Sequence, residues 1–305
     1  MTVTQAVERL VAASVHLSDA DLDRTYAWEA YDEDGLRFAL LTAHQLLRET
    51  TATVAAARLG AGKPFTEAQR ILAQVHEAYR DLTGALAGTS EAELDAQPPA
   101  QQWPVRQVLA HVLDAESAFL TAIRLALDAV RAGTPPTKPT KAAWEAREAP
   151  VSDPAGSRAD ALEALFESHV RILGELSPVA DTELDSPSFF WEDKGYSVRF
   201  RMHRFEEHLR QHTIQVDKTL VALGHPPTEA ERLVRNIYTA LAGLESVGGA
   251  GVGRELIDRC ATAIDAIATE VERIARLVRR DRHYVRPRMP RWRLQSSTSR
   301  PRSTM

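Results

Sequence analysis

Apolar residues recur along this chain at intervals of three and four, and no segment alternates with the period of two that a half-buried strand requires. The pattern predicts an all-α protein of eight helices. The first, from Thr4 to about His16, is short. The second runs from about Asp34 to Leu59 and stops at Gly60-Ala-Gly-Lys-Pro64. The third opens at Thr66 as N-cap, carries Ile71, Leu72, Val75, Tyr79 and Leu82, and closes before Gly88. The fourth begins at Trp103-Pro104, where proline suits a first turn, and ends at Gly133. After a linker over 133–157, a fifth spans about Ser157–Leu176. A second linker carries Phe189-Phe190-Trp191, and the sixth helix runs from about Val198 to Leu223. Two more follow, Thr228–Leu244 and Arg254–Val278, separated by a hinge at Gly248-Gly-Ala-Gly251.

Helices three to six, residues 65–225, make a four-helix bundle with two long connections. The regions 1–64 and 226–278 are amphipathic and need cover, so they are expected to pack on each other as a second helical bundle into which the first is inserted. Residues 19–49 faintly echo residues 90–120: Asp21-Leu-Asp23 parallels Glu93-Leu-Asp95, and His44 stands near the place of His111.

Charge and cysteine content narrow the picture. The formal net charge of −5 is uneven: residues 279–305 hold nine arginines against Asp281, a balance of +8, which leaves −13 for the rest. Prolines at 287, 290 and 301 mark this basic end as a disordered tail, and without a recognition fold beside it we expect no nucleic-acid partner. No run of about 18 apolar residues exists to span a membrane, and the first residues do not read as a signal peptide. A single cysteine, Cys260, excludes an intrachain disulfide and a cysteine-based zinc cluster. A cytoplasmic protein is expected, with a homodimer as one possible assembly.

The candidate chemistry lies in histidines. His208 and His212 are one turn apart and share a helix face, so both can grip one ion, and His111 on a neighbouring helix offers a third nitrogen. Such a set leaves a coordination position open, as a reactive metal site does. His76 and His169, which also fall on apolar faces, read as core histidines bonded to a neighbour. Leu209 stands where a zinc peptidase needs glutamate, which excludes that chemistry. Asp114 and Glu116 lie near His111, and neither is singled out as a base.

The run Gln102-Trp-Pro-Val-Arg-Gln-Val-Leu-Ala-His111-Val-Leu-Asp-Ala-Glu116 resembles the second-helix signature of the DinB-like (DinB/YfiT) superfamily. The run Glu206-Glu-His208-Leu-Arg-Gln-His212-Thr-Ile-Gln215 resembles its fourth helix. The resemblance covers about residues 66–224. It implies a four-helix bundle holding a divalent metal, zinc or nickel, through His111, His208 and His212. The implied activities are a metal-dependent hydrolase or a transferase using a low-molecular-weight thiol of the mycothiol or bacillithiol type on a small-molecule substrate. The maleylpyruvate isomerase branch has glutamate where His208 stands, so the YfiT-like branch is the nearer one. A non-catalytic metal- or ligand-binding bundle is the alternative reading.

Overall fold

The computed structural model describes residues 1–29, 34–99, 102–249 and 251–284. Among them are eleven α-helices: α1 (Val3–Ser14), α2 (Asp19–Leu22), α3 (Gly35–Gly60), α4 (Glu67–Leu86), α5 (Glu91–Asp95), α6 (Val105–Arg131), α7 (Lys141–Glu145), α8 (Arg158–Leu176), α9 (Val198–Ala222), α10 (Glu229–Gly248) and α11 (Arg254–Tyr284). Side-chain caps start most of them. The Thr66 hydroxyl accepts from the Gln69 amide at 3.1 Å while Gln69 returns a bond to Thr66, and Thr228 with Glu231 and Ser157 with Asp160 repeat the device. Each such cap satisfies amides that the first turn leaves unpaired, worth about 1 kcal/mol.

Two layers of helices follow from two separate cores. In the first, α4, α6, α8 and α9 form a ring in which α4 touches α8 and α9, and α6 touches the same two. Its centre is filled by residues such as Leu82, Val108, Leu109, Ile123 and Phe205, all fully buried. In the second, α1, α3, α10 and α11 surround Leu10, Leu36, Leu40, Leu241 and Ile264. Here α1 touches α10 and α11, and α3 touches the same two, so both rings have their first two helices on a diagonal. The short capped helices α2 and α5 precede α3 and α6 in matching places, at the positions of the Asp-Leu-Asp and Glu-Leu-Asp echo.

The α4 helix is the wall between the layers, packing on α9 on one side and α10 on the other. Gly84 lets α10 come close: a Cβ there would sit 3.1 Å from Arg235 Cα and 3.2 Å from a Tyr238 ring carbon. Arg235 then pins three helices, donating to Asp81 on α4 at 2.5 and 3.0 Å and to Asp217 on α9 at 2.9 Å.

The structure adds elements that the periodicity did not mark. The helices α2, α5 and α7 are only four or five residues long. They span too little to repeat an apolar face. In the second linker, Pro187–Ser188 and Tyr196–Ser197 pair antiparallel as β1 and β2, again too short for alternation to register. Pro104 falls at the N-cap of α6, one place before the first helical residue. The last helix runs to Tyr284, six residues past Val278, since no proline interrupts before Pro287. The remainder of the expected tail, 285–305, lies outside the described residues.

Candidate metal centre

Helix α6 carries His111 and α9 carries His208 and His212, and the α6–α9 packing turns all three inward. His208 and His212 are buried at 5% exposure each, while His111 is half-buried, so any approach from solvent is on the His111 side. His208 Nε2 lies 3.0 Å from His212 Nε2 and 3.3 Å from His111 Nε2, and the three ligand atoms sit within 4.8 Å of one another. With metal–nitrogen bonds of about 2.0–2.1 Å, neighbouring nitrogens stand about 3.4 Å apart around a tetrahedral ion and about 2.9 Å apart around an octahedral one. The two spacings from His208 fall in that range.

The protonation states suit ligands too. Burial, followed by the proximity of His212, His111 and Arg204, pushes His208 down to about 3. Burial lowers His212 as well, against the opposing effect of its hydrogen bond to Gln215 Oε1. Both are therefore neutral at physiological pH, as a metal-binding imidazole must be. His212 Nδ1 lies 2.8 Å from Gln215 Oε1, which holds the proton on Nδ1 and leaves the Nε2 lone pair facing the cluster. His208 Nδ1 is buried with no hydrogen-bond partner among the described residues. An unsatisfied buried donor costs about 1–3 kcal/mol, a loss that coordination through Nε2 would offset.

Aromatic rings enclose the cluster. The Trp103 indole stands edge-on to His111 at 5.4 Å, and Phe119 is edge-on to His208 at 5.6 Å. Phe119 in turn meets Phe205 and Phe190, and Trp144 stacks on Phe190 at 5.6 Å. The two long linkers thus converge beside the N-terminal half of α9. Arg201, 3% exposed, fastens the second linker: it donates to Glu192 at 2.6 Å and lies over the Phe190 ring at 5.6 Å. Arg204 lies over the Phe119 ring at 5.8 Å.

The carboxylates near His111 turn elsewhere. Asp114 is exposed, and neither it nor Glu116 belongs to the cluster. Glu116 is 3% exposed and accepts from Ser168 Oγ on α8 at 3.3 Å. Burial raises its carboxyl to about 8. The folded protein therefore keeps that proton through neutrality while the unfolded chain releases it near pH 4.5, and this group's contribution to stability falls as pH rises from about 4.5 to 8. Glu116→Gln should flatten that decline and stand above wild type at pH 8 in urea midpoints. Parallel pH profiles of the two proteins would contradict the assignment.

His76 and His169, expected as core histidines with a neighbour, bond to each other: His76 Nδ1 lies 2.8 Å from His169 Nε2. His76 also meets Glu245 of α10. His44 joins no cluster of metal-ligating groups among the described residues. Gln215, Trp103 and Phe119 had no assigned role in the sequence. Trp103 and Gln215 lay inside the two motif runs, and Gln215 also stands three residues after His212 on one helix face.

A two-linker, four-helix bundle with a three-histidine cluster between its second and fourth helices defines the class. A family model of the DinB superfamily matches residues 74–216, and this bundle belongs to that superfamily. No curated protein and no solved structure matches the chain. None of the helices among the described residues is long and apolar enough to cross a membrane.

Proposed function

We propose that the bundle is the reactive centre of a metal-dependent hydrolase or thiol-dependent transferase, with one divalent ion, zinc or nickel, held by His111, His208 and His212. The observation that carries this reading is the approach of His111 and His212 Nε2 to His208 Nε2 at metal-ligand spacing, with all three donor atoms within 4.8 Å of one another. Membership of the DinB superfamily supports it. A bound ion would supply Lewis acidity, lowering the pKa of a coordinated water or thiol.

The chain's own residues set the conditions for that chemistry. Gln215 holds one ring in register, and Phe119 and Trp103 fix the orientation of the other two. Because no carboxylate joins the cluster among the described residues, every donor is an imidazole and the site favours an anionic ligand. Arg204 adds a positive charge beside Phe119. The chain offers no thiol of its own there: Cys260 lies in the second core, and burial pushes its pKa up. A thiol substrate would therefore come from solution.

Cobalt-loaded protein, titrated with cysteine, glutathione and 2-mercaptoethanol, tests the thiol reading. A thiolate-to-metal charge-transfer band is expected, retained in Cys260→Ala and lost in His208→Ala. If no thiol produces a band, the transferase reading is wrong, and turnover of an ester panel by the metal-loaded protein becomes the test of hydrolysis.

A further inference from the structure

On the far side of α4 from the histidine cluster, the two bundles leave between them a cleft of about 810 Å³. Clefts of this size at domain junctions commonly hold small molecules, a few polar groups fixing an otherwise apolar ligand. One face of α4, from Gln69 through Leu72 and His76 to Arg80, forms its floor. At about 1.5 Å per residue that floor is about 16 Å long. Phe166 and Val170 of α8 form a wall, and they remain 47% and 48% exposed.

The charges along this floor are unequally matched. At the α10 end, Glu245 is the one carboxylate of the lining. Burial pushes its carboxyl up, but His76 and Arg80 outweigh that and hold it at about 2. It accepts from Arg80 Nη2 at 2.6 Å and Nε at 2.9 Å, and meets His76 Nε2 at 2.8 Å. That end is electrostatically closed. At the other end stands Arg58, 7% exposed. Its guanidinium donates to the Lys63 carbonyl at 2.7 Å and to Gln69 Oε1 at 2.9 Å, and lies 3.8 Å from the centre of the Phe65 ring. Among the described residues no carboxylate comes within 4.0 Å of it. A guanidinium so buried is ordinarily paired with an acid. Here it borders a cleft whose opposite wall is bare phenylalanine and valine.

We propose that this cleft is a second ligand site, for a small amphipathic organic anion whose acidic group pairs with Arg58 and whose apolar body lies along Leu72, Phe166 and Val170. The cationic end selects charge and the uncovered wall selects an aromatic or aliphatic body. Because the ligand would touch helices of both bundles, its binding would brace the junction between them.

Full-length protein titrated with 8-anilinonaphthalene-1-sulfonate gives the direct readout, followed by displacement with 4-phenylbutanoate and its uncharged amide. We expect one saturable site, displacement by the carboxylate at concentrations at least ten-fold below the amide, and at least ten-fold weaker binding of the dye and the carboxylate in Arg58→Gln. Val170→Asp, which leaves the hydrogen bonds of Arg58 intact, should weaken both probes to a similar degree, and it decides the matter if Arg58→Gln loses helicity by circular dichroism. His208→Ala should bind as wild type does, which separates this site from the histidine cluster. Non-saturating fluorescence, equal competition by acid and amide, or unchanged affinity in folded Arg58→Gln or Val170→Asp would each overturn the proposal.

Discussion

Purified His208→Ala should carry divalent metal only at background level, where the wild type carries about one ion per chain by elemental analysis. His208 is the middle of the three donors: its Nε2 is the atom that lies within 3.3 Å of both others. Removing it leaves His111 and His212 on different helices, with no further ligating side chain in the cluster among the described residues. The effect should also reach stability, because an ion that binds only the folded bundle stabilises it by about 4 kcal/mol at a free concentration a thousand times its Kd. Chelation should therefore lower the melting temperature of the wild type and leave that of His208→Ala nearly unmoved. Gln215→Leu should retain the ligands but lose the bond that sets the His212 tautomer, weakening metal affinity by about 10- to 100-fold. Wild-type metal content in His208→Ala would remove the basis for the proposed centre.

Much of this fold was legible because long amphipathic helices repeat their signal many times. The 26 residues of α3 and the 27 of α6 each present several turns of one apolar face, and their predicted limits fall within a few residues of those observed. The histidine cluster was legible for a similar reason. Two donors at i and i+4 are fixed by helix geometry alone, and only His111 required knowledge of which helices meet. What could not be read were relations between distant segments. Nothing local to His76 announces Glu245, 169 residues away, and nothing in Phe119 announces Phe190 or Trp144 from the two linkers. The lack of a carboxylate beside Arg58 among the described residues is likewise a property of what fails to approach it in three dimensions. The residues that enclose the site, as opposed to those that could grip an ion, were thus set by packing between helices.

The same distinction governs the junction of the two bundles, where one carboxylate has an outsized effect. Glu245 on α10 of the second bundle accepts two hydrogen bonds from Arg80 and one contact from His76, both on α4 of the first, and a fourth from Thr4 of α1 at 2.8 Å. Arg80 is 7% exposed, and its only other acidic neighbour among the described residues is Glu8 at 3.6 Å. Glu245→Ala would leave that guanidinium buried and largely uncompensated, and breaking one side of a buried pair costs about 3–5 kcal/mol. We expect a loss of about 3 kcal/mol by urea denaturation, since Glu8 recovers part of the lost attraction. The pH dependence has a definite sign. The folded carboxyl sits at about 2, below its ordinary 4.5, so the stabilisation is complete above about 4.5 and is lost as pH falls toward 2. Glu245→Gln keeps the shape and removes the charge, and should abolish that part of the acid sensitivity while being less stable than wild type at pH 7. If the wild type and Glu245→Gln lose stability in parallel between pH 4.5 and 2, the carboxylate does not hold the bundles together in the way its contacts indicate.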